Sequence, residues 1–264
     1  MTDTKDQPRV RSFAGIFNFR DYGGYRAAGG WLKRDTLFRS GQHGTATRED
    51  LDAVHALGIA TVIDLRGDTE RGELPCLRHP DFAGTVLFAP GETVGQELAP
   101  HEEAARGITS PQDVHAAMTA LYANMPFRPV LVESLKLYFE ALATRPGASL
   151  LHCAAGKDRT GLAAALLHTL LGVHHDDVVA DYLLTNSAGD PQARIAAAAE
   201  GIRARYGPKM TDEAIVAIMS VEARYLDTAL DAARARHGSI EGYARDMLGV
   251  TPQRRDQLEA QLVA

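Results

Sequence analysis

Between Leu150 and Gly161 a short apolar run, Leu150-Leu151-His152, leads into Cys153-Ala154-Ala155-Gly156-Lys157-Asp158-Arg159-Thr160-Gly161. Five residues separate Cys153 from Arg159, a span that can curl into one turn with its backbone N–H groups facing inward, and such a nest binds an anion. The stretch from Asp158 to Leu171 reads as a helix, so its positive end and its unpaired first N–H groups converge on the same place. Arg159 adds a planar fork of donors matched to two phosphate oxygens, and Lys157 adds a less directional charge. The phosphate-binding set read from these residues is Ala154, Ala155, Gly156, Lys157, Asp158 and Arg159.

The thiolate is the nucleophilic form of a cysteine, and a helix N-terminus with adjacent cations favours it. Cys153 beneath a bound phosphate is placed for in-line attack on phosphorus, giving a cysteinyl-phosphate and expelling an alcohol or phenol, after which water releases phosphate. Thr160 can donate its hydroxyl to the sulfur and ease its departure in that second step. Gly156 suits a turn position with positive φ, and Gly161 suits close packing of the helix on its strand. Expulsion of an alkoxide also needs a proton donor within hydrogen-bond reach of the ester oxygen. Asp158 and Asp64 are the candidates. Asp158 has an alternative role in capping the helix that follows, and its neighbours Lys157 and Arg159 favour its charged form. Asp64 alternatively pairs with Arg66 or a loop amide.

The run His152-Cys153-x-x-Gly156-Lys157-Asp158-Arg159-Thr160-Gly161 resembles the signature loop of the cysteine-dependent phosphatases. Its Lys-Asp-Arg ending is closer to one branch, the atypical bacterial protein tyrosine phosphatase family related to mycobacterial phosphatase B, and the loop also looks like that of eukaryotic phosphoinositide phosphatases. Asn18-Phe19-Arg20-Asp21-Tyr22-Gly23-Gly24 and Leu37-Phe38-Arg39-Ser40-Gly41 are similar to the N-terminal portion of the same bacterial family. The resemblance implies phosphotyrosine and phosphoinositide substrates, an acid/base role for Asp158, and an added helical pair over the active site. The Trp-Pro-Asp motif of many tyrosine phosphatases is absent, and His79-Pro80-Asp81 lies further upstream of the cysteine than the family pattern places it. The expected acid is Asp158, with Asp64 assisting.

The reaction expected is hydrolysis of phosphate monoesters without a metal or other cofactor. Phosphotyrosine, phosphoserine or phosphothreonine proteins and phosphoinositide lipids are its candidate substrates. Lys157 suits lipid headgroups, whereas Ala154 stands where lipid-specific relatives often carry a second lysine. Two rival readings use the same loop: sulfur transfer of the rhodanese kind, and a non-catalytic module that captures phosphorylated partners. Arg159-Thr160-Gly161 favours the phosphatase.

The elements around the loop set its position. The 264 residues, 45% of them hydrophobic, suffice for a large core. A formal charge of −6 without a long basic run argues against general nucleic-acid binding. No signal-like or membrane-spanning run is visible, which suggests a cytoplasmic protein or one exported without a signal. Cys76 and Cys153 lack metal-ligand or redox spacing, and Cys76 reads as inert.

Ser12 to Ser40 predicts short strands and tight turns, and Thr47 with Asp50 predicts a capped helix ending at Gly58. Ala60 to Leu65 and Thr85 to Ala89 read as strands, and Pro90 to Thr109 as a loop. Ser110-Pro111 opens a helix, and a second follows to Pro146-Gly147. The strand Ala148 to His152 then delivers Cys153. His174 and His175 do not converge with a second ligand cluster, so no metal site is read there. Helices follow to the end, two of them starting at Ser239 and Thr251. The expected fold is α/β, a single domain over 1–264 with a central sheet of four or five strands flanked by helices. Residues 190–237, with an alanine-rich helix carrying Arg194, Arg203 and Arg205, form the expected helical lid.

Overall fold

A computed structural model describes residues 9–92 and 110–264. The loop expected over Pro90 to Thr109 therefore lies, from 93 on, outside the described residues. The strands are β1 (Arg20–Asp21), β2 (Arg26–Ala27), β3 (Gly30–Trp31), β4 (Leu37–Ser40), β5 (Ile59–Asp64), β6 (Thr85–Leu87) and β7 (Ala148–His152). The helices preceding β7 are α1 (Arg48–His55), α2 (Asp68–Glu73), α3 (Pro111–Asn124) and α4 (Pro129–Thr144). Those following it are α5 (Asp158–Leu170), α6 (His175–Leu183), α7 (Pro191–Tyr206), α8 (Asp212–Met219), α9 (Ala223–His237), α10 (Ile240–Leu248) and α11 (Pro252–Leu262).

Five strands form the central sheet in the order β1-β4-β7-β5-β6, parallel except for β1, and β2 and β3 make a separate hairpin. The fold is α/β, as the sequence predicts. Strand β7 lies in the middle, and its register sets Ser40 on one side of His152 and Asp64 on the other. Leu150 and Leu151 point to opposite faces. Leu151 joins the large core beneath α3, α4, α5 and α9, while Leu150 joins a smaller cluster with Phe19, Phe38 and Val62 under α1. Burial on both faces explains why β5 and β7 read as continuous apolar runs without alternation.

Local signals place the helix starts. Thr47 and Asp50 cap α1 reciprocally, as Ser110 and Asp113 cap α3 behind Pro111, and Ser239 and Thr251 cap α10 and α11. Helix α5, apolar nearly all round, is buried along most of its length.

The segment 190–237, expected to form a helical lid, holds helices α7, α8 and α9. Helix α9 is a core helix, with Tyr225, Leu226, Ala229, Leu230 and Ala233 fully buried. Its apolar stripe is the physical reason, because a face of that kind must be covered by the body of the domain. Helix α8 likewise buries Ala214 and Ile215 in this core, whereas α7 packs on it through the partly buried Ile195, Ala198, Ala199 and Ile202. Arg194 on α7 is only 4% exposed. Arg203 pairs with Asp212 at the start of α8.

Truncation of the buried Leu226 to alanine is expected to destabilise the protein by about 2–5 kcal/mol. Arg203→Ala on the half-exposed surface of α7 should stay within about 0.5 kcal/mol. Urea unfolding of the two variants distinguishes core from periphery.

Candidate active site

The chain leaves β7 at His152, turns through residues 153–157 and enters α5 at Asp158. Gly156 takes φ +65°, and a Cβ there would lie 2.3 Å from the carbonyl carbon of Ser40, so only glycine fits both the turn and its neighbour. The loop carbonyls are turned outward and held. Ala154 O accepts from the Gln42 amide at 2.9 Å, and Gly156 O accepts from Asn18 Nδ2 at 2.8 Å and Arg39 Nη2 at 3.1 Å. Among the described residues the backbone N–H groups of Ala154, Ala155, Gly156 and Lys157 donate to no protein acceptor. These donors stand beside buried Cys153, at the positive end of α5.

A buried charge network fixes this geometry from behind. Asp181 on α6 receives Arg39 Nη1 at 2.7 Å and Arg20 Nε at 3.4 Å, and Arg20 Nη1 also reaches Asn18 Oδ1 at 2.5 Å. Burial opposes ionisation of Asp181, but the two guanidiniums hold its carboxyl well below the usual carboxylate range. Asn18 adopts φ +59°, a left-handed conformation that asparagine tolerates, and so delivers its amide to the loop. Gly161 packs against the Tyr182 ring, 2.8 Å from its ideal Cβ position, as well as near Arg39.

Arg159 is gripped by Glu70 of α2 in a bidentate pair, Nη1–Oε2 2.5 Å and Nη2–Oε1 2.6 Å, and Nη1 also donates to Leu65 O at 3.1 Å. Burial works against its charge, but Glu70 and Cys153 more than offset it and raise the guanidinium above its ordinary value. Glu70 moves down for the reciprocal reason, against its own burial. Sequence reading gave Glu70 no role; its place in the first turn of a helix following β5 was the available signal. Asn18, Arg39 and Asp181 were missed as supports of the loop, although Asn18 and Arg39 stand in the two N-terminal stretches that carry the family resemblance.

Asp158 opens α5 and faces a polar cluster. Tyr122 donates to Asp158 Oδ1 at 2.7 Å and shares a 2.7 Å hydrogen bond with Tyr182, while Lys157 Nζ lies 3.5 Å from the same carboxylate oxygen. Burial, then the negative charge of Asp158, keeps the Tyr122 phenol well above its ordinary pKa, so it remains a donor. Lys157 is buried and donates to the carbonyls of Ile218 and Ser220, at the end of α8. Arg194 of α7 reaches the carbonyl between them, Met219 O, at 3.4 Å. Its Nε and Nη1 have no partner among the described residues. Thr160 is fully buried, and its hydroxyl likewise lacks a partner there.

Asp64 ends β5 beside the loop strand, in a bidentate pair with Arg66 at 3.0 Å and 2.8 Å. His152 Nδ1 is 3.8 Å from it. Burial raises the Asp64 carboxyl, but His152 and Arg66 outweigh this and hold it below its ordinary value. Asp64, Cys76 and His152 bring one potential ligand atom each within 4.8 Å of one another. The donor set fits a cation poorly: both Asp64 oxygens already accept from Arg66, and burial pushes the Cys76 thiol up. Cys76 is a free thiol that accepts from the His43 amide at 3.3 Å.

The central strand thus ends in a cysteine on a turn of amides without protein acceptors, with an arginine at the head of the buried helix that follows. Residues 11–264 match the tyrosine phosphatase family, and the chain belongs to it. A putative tyrosine-protein phosphatase of Cupriavidus necator is 33% identical over 249 residues, covering 90% of this chain and 84% of that one. The triple specificity protein phosphatase PtpB of Mycobacterium tuberculosis is 31% identical over 264 residues, covering 90% and 93%. A tyrosine-protein phosphatase of Nostoc commune is 28% identical over 244 residues, covering 88% and 75%. Family membership sets aside the sulfur-transfer alternative.

The buried His152 gives the site a pH signature. Burial lowers its pKa from 6.5 to about 4, against the pull of Asp64. Between those values the unfolded chain holds the extra proton, so stability must fall as pH drops through this window. Denaturant unfolding at a series of pH values should show that slope, and it should shrink in His152→Gln; an equal slope in the variant contradicts the assignment.

Proposed function

We propose that this phosphatase hydrolyses phosphotyrosine through a cysteinyl-phosphate on Cys153, and that its range extends to phosphoserine, phosphothreonine and phosphoinositides. The observation that carries this reading is the set of four loop amides without protein acceptors, placed around a buried cysteine at a helix N-terminus. A phosphoryl group satisfies those donors, and Arg159, oriented by Glu70, takes two of its oxygens.

In the first step the Cys153 sulfur forms a bond to phosphorus as the P–O bond to the leaving group breaks. Asp158 gives its proton to that oxygen. Tyr122 donates to one carboxyl oxygen of Asp158 and leaves the other available. In the second step water attacks phosphorus, Asp158 takes its proton, and the S–P bond breaks with the Thr160 hydroxyl donating to the departing sulfur. Asp64, tied to Arg66, supports the strand end beside the loop and assists Asp158 through the local charge balance.

Helices α7 and α8 act as the lid. Lys157 and Arg194 hold the terminal carbonyls of α8, so a phosphate that draws either cation toward the loop loosens this contact. No helix among the described residues is long and apolar enough to cross a membrane. The two unbridged cysteines support a reducing, cytoplasmic setting.

Cys153→Ser is expected to abolish turnover of an aryl phosphate while retaining phosphate-analogue binding. Asp158→Asn should lower kcat by about 10²–10⁴-fold for poor leaving groups and much less for a nitrophenol. Retained hydrolysis in Cys153→Ser, or an Asp158→Asn loss independent of the leaving group, contradicts the scheme. Initial rates on phosphotyrosine peptide, phosphoserine peptide and phosphoinositide micelles test the range.

A further inference from the structure

A cavity of about 380 Å³ opens on the face of the sheet that carries Leu150, away from the large core. Its volume lies within the range of about 300–1,000 Å³ usual for small-molecule sites. Leu51 and Val54 of α1, Ile59 and Val62 of β5, Phe82 and Leu150 give it apolar walls.

Arg78 lines the same cavity, half-buried. Its guanidinium makes no hydrogen bond or ion pair among the described residues, and its recorded ring contact is with Phe82, 5.5 Å from the centroid. The other polar groups of the lining are already engaged or balanced. His43 Nε2 is bonded to Ser40 Oγ at 3.0 Å. His79 lies 3.2 Å from Asp52 and 3.8 Å from Asp81, and His55 stacks on its ring at 4.1 Å. Arg78 is thus the permanent cation of the lining; the Asp64 carboxylate favours its charge without contacting it, and half-burying a cation with no counter-ion in contact costs free energy that a bound anion recovers. The acids on the rim disfavour a dianion. No helix N-terminus or amide nest of the kind that holds a phosphate belongs to this lining.

We infer that this cavity binds a small amphipathic carboxylate, its apolar body between α1 and β5 and its carboxylate on Arg78. The site is separate from the phosphate loop, although His43 at its inner end stacks on His152 with ring centroids 5.8 Å apart.

Decanoate below its micellar concentration is the probe, titrated calorimetrically into the full chain. One molecule per chain should bind, and decanol, with the same tail and no charge, should bind at least tenfold more weakly. Arg78→Gln should weaken decanoate at least tenfold, Arg78→Lys should recover part of the loss, and Val54→Trp should fill the cavity and abolish binding. Cys153→Ser and saturating inorganic phosphate should leave it unchanged. Circular dichroism melts and aryl phosphate turnover establish that the Arg78 variants are folded. Absence of binding to the parent chain, equal affinity in folded Arg78→Gln, equal affinity for decanol, or competition by inorganic phosphate overturns the inference.

Discussion

The constraint on which the site depends is one short turn of backbone whose four amides have no protein acceptor among the described residues. A turn with four donors and no protein acceptor is unfavourable on its own, because polar groups near a core need partners. It persists because the carbonyls of the same turn are held outward by Gln42, Asn18 and Arg39, and because Gly156 removes the one side chain that would collide with β4. Arg39 in turn stays in place through Asp181, which it shares with Arg20. Two buried guanidiniums on one carboxylate contribute little net stability, and their value here is positional.

The charges in front of the turn follow a similar logic. Three cations of the site are each oriented by a carboxylate or by carbonyls: Arg159 by Glu70, Lys157 and Arg194 by the last carbonyls of α8. Positive potential is therefore arranged before the substrate arrives, which is how electrostatic stabilisation avoids reorganisation during the reaction. Asp158 and its tyrosine pair lie at the head of α5, beside the same turn.

How much of this was legible beforehand depended on distance along the chain. The loop was readable because nucleophile, turn glycine, arginine and helix start all fall within ten residues, and the sheet was readable because buried parallel strands leave continuous apolar runs. Glu70, Arg39 and Asp181 come from three separate elements and Asn18 from the loop before β1, and nothing local marks a carboxylate or guanidinium that will meet another across the fold. The stripe Tyr225, Leu226, Leu230 was visible as apolar, yet grouping it with the alanine-rich helix before it hid its place in the core. Arg194 sits on a helix of small residues, and its burial comes from the end of α8 meeting it across the fold, which no local pattern marks.

Rapid acid quench of the wild-type enzyme turning over p-nitrophenyl phosphate, followed by mass spectrometry of its peptides, tests the central claim most directly. A stoichiometric burst of nitrophenol with the phosphoryl group on the peptide bearing Cys153 is the outcome this structure predicts. Steady turnover without a burst or adduct, or an adduct on any other residue, would mean that the open turn does not aim a phosphoryl group at that sulfur.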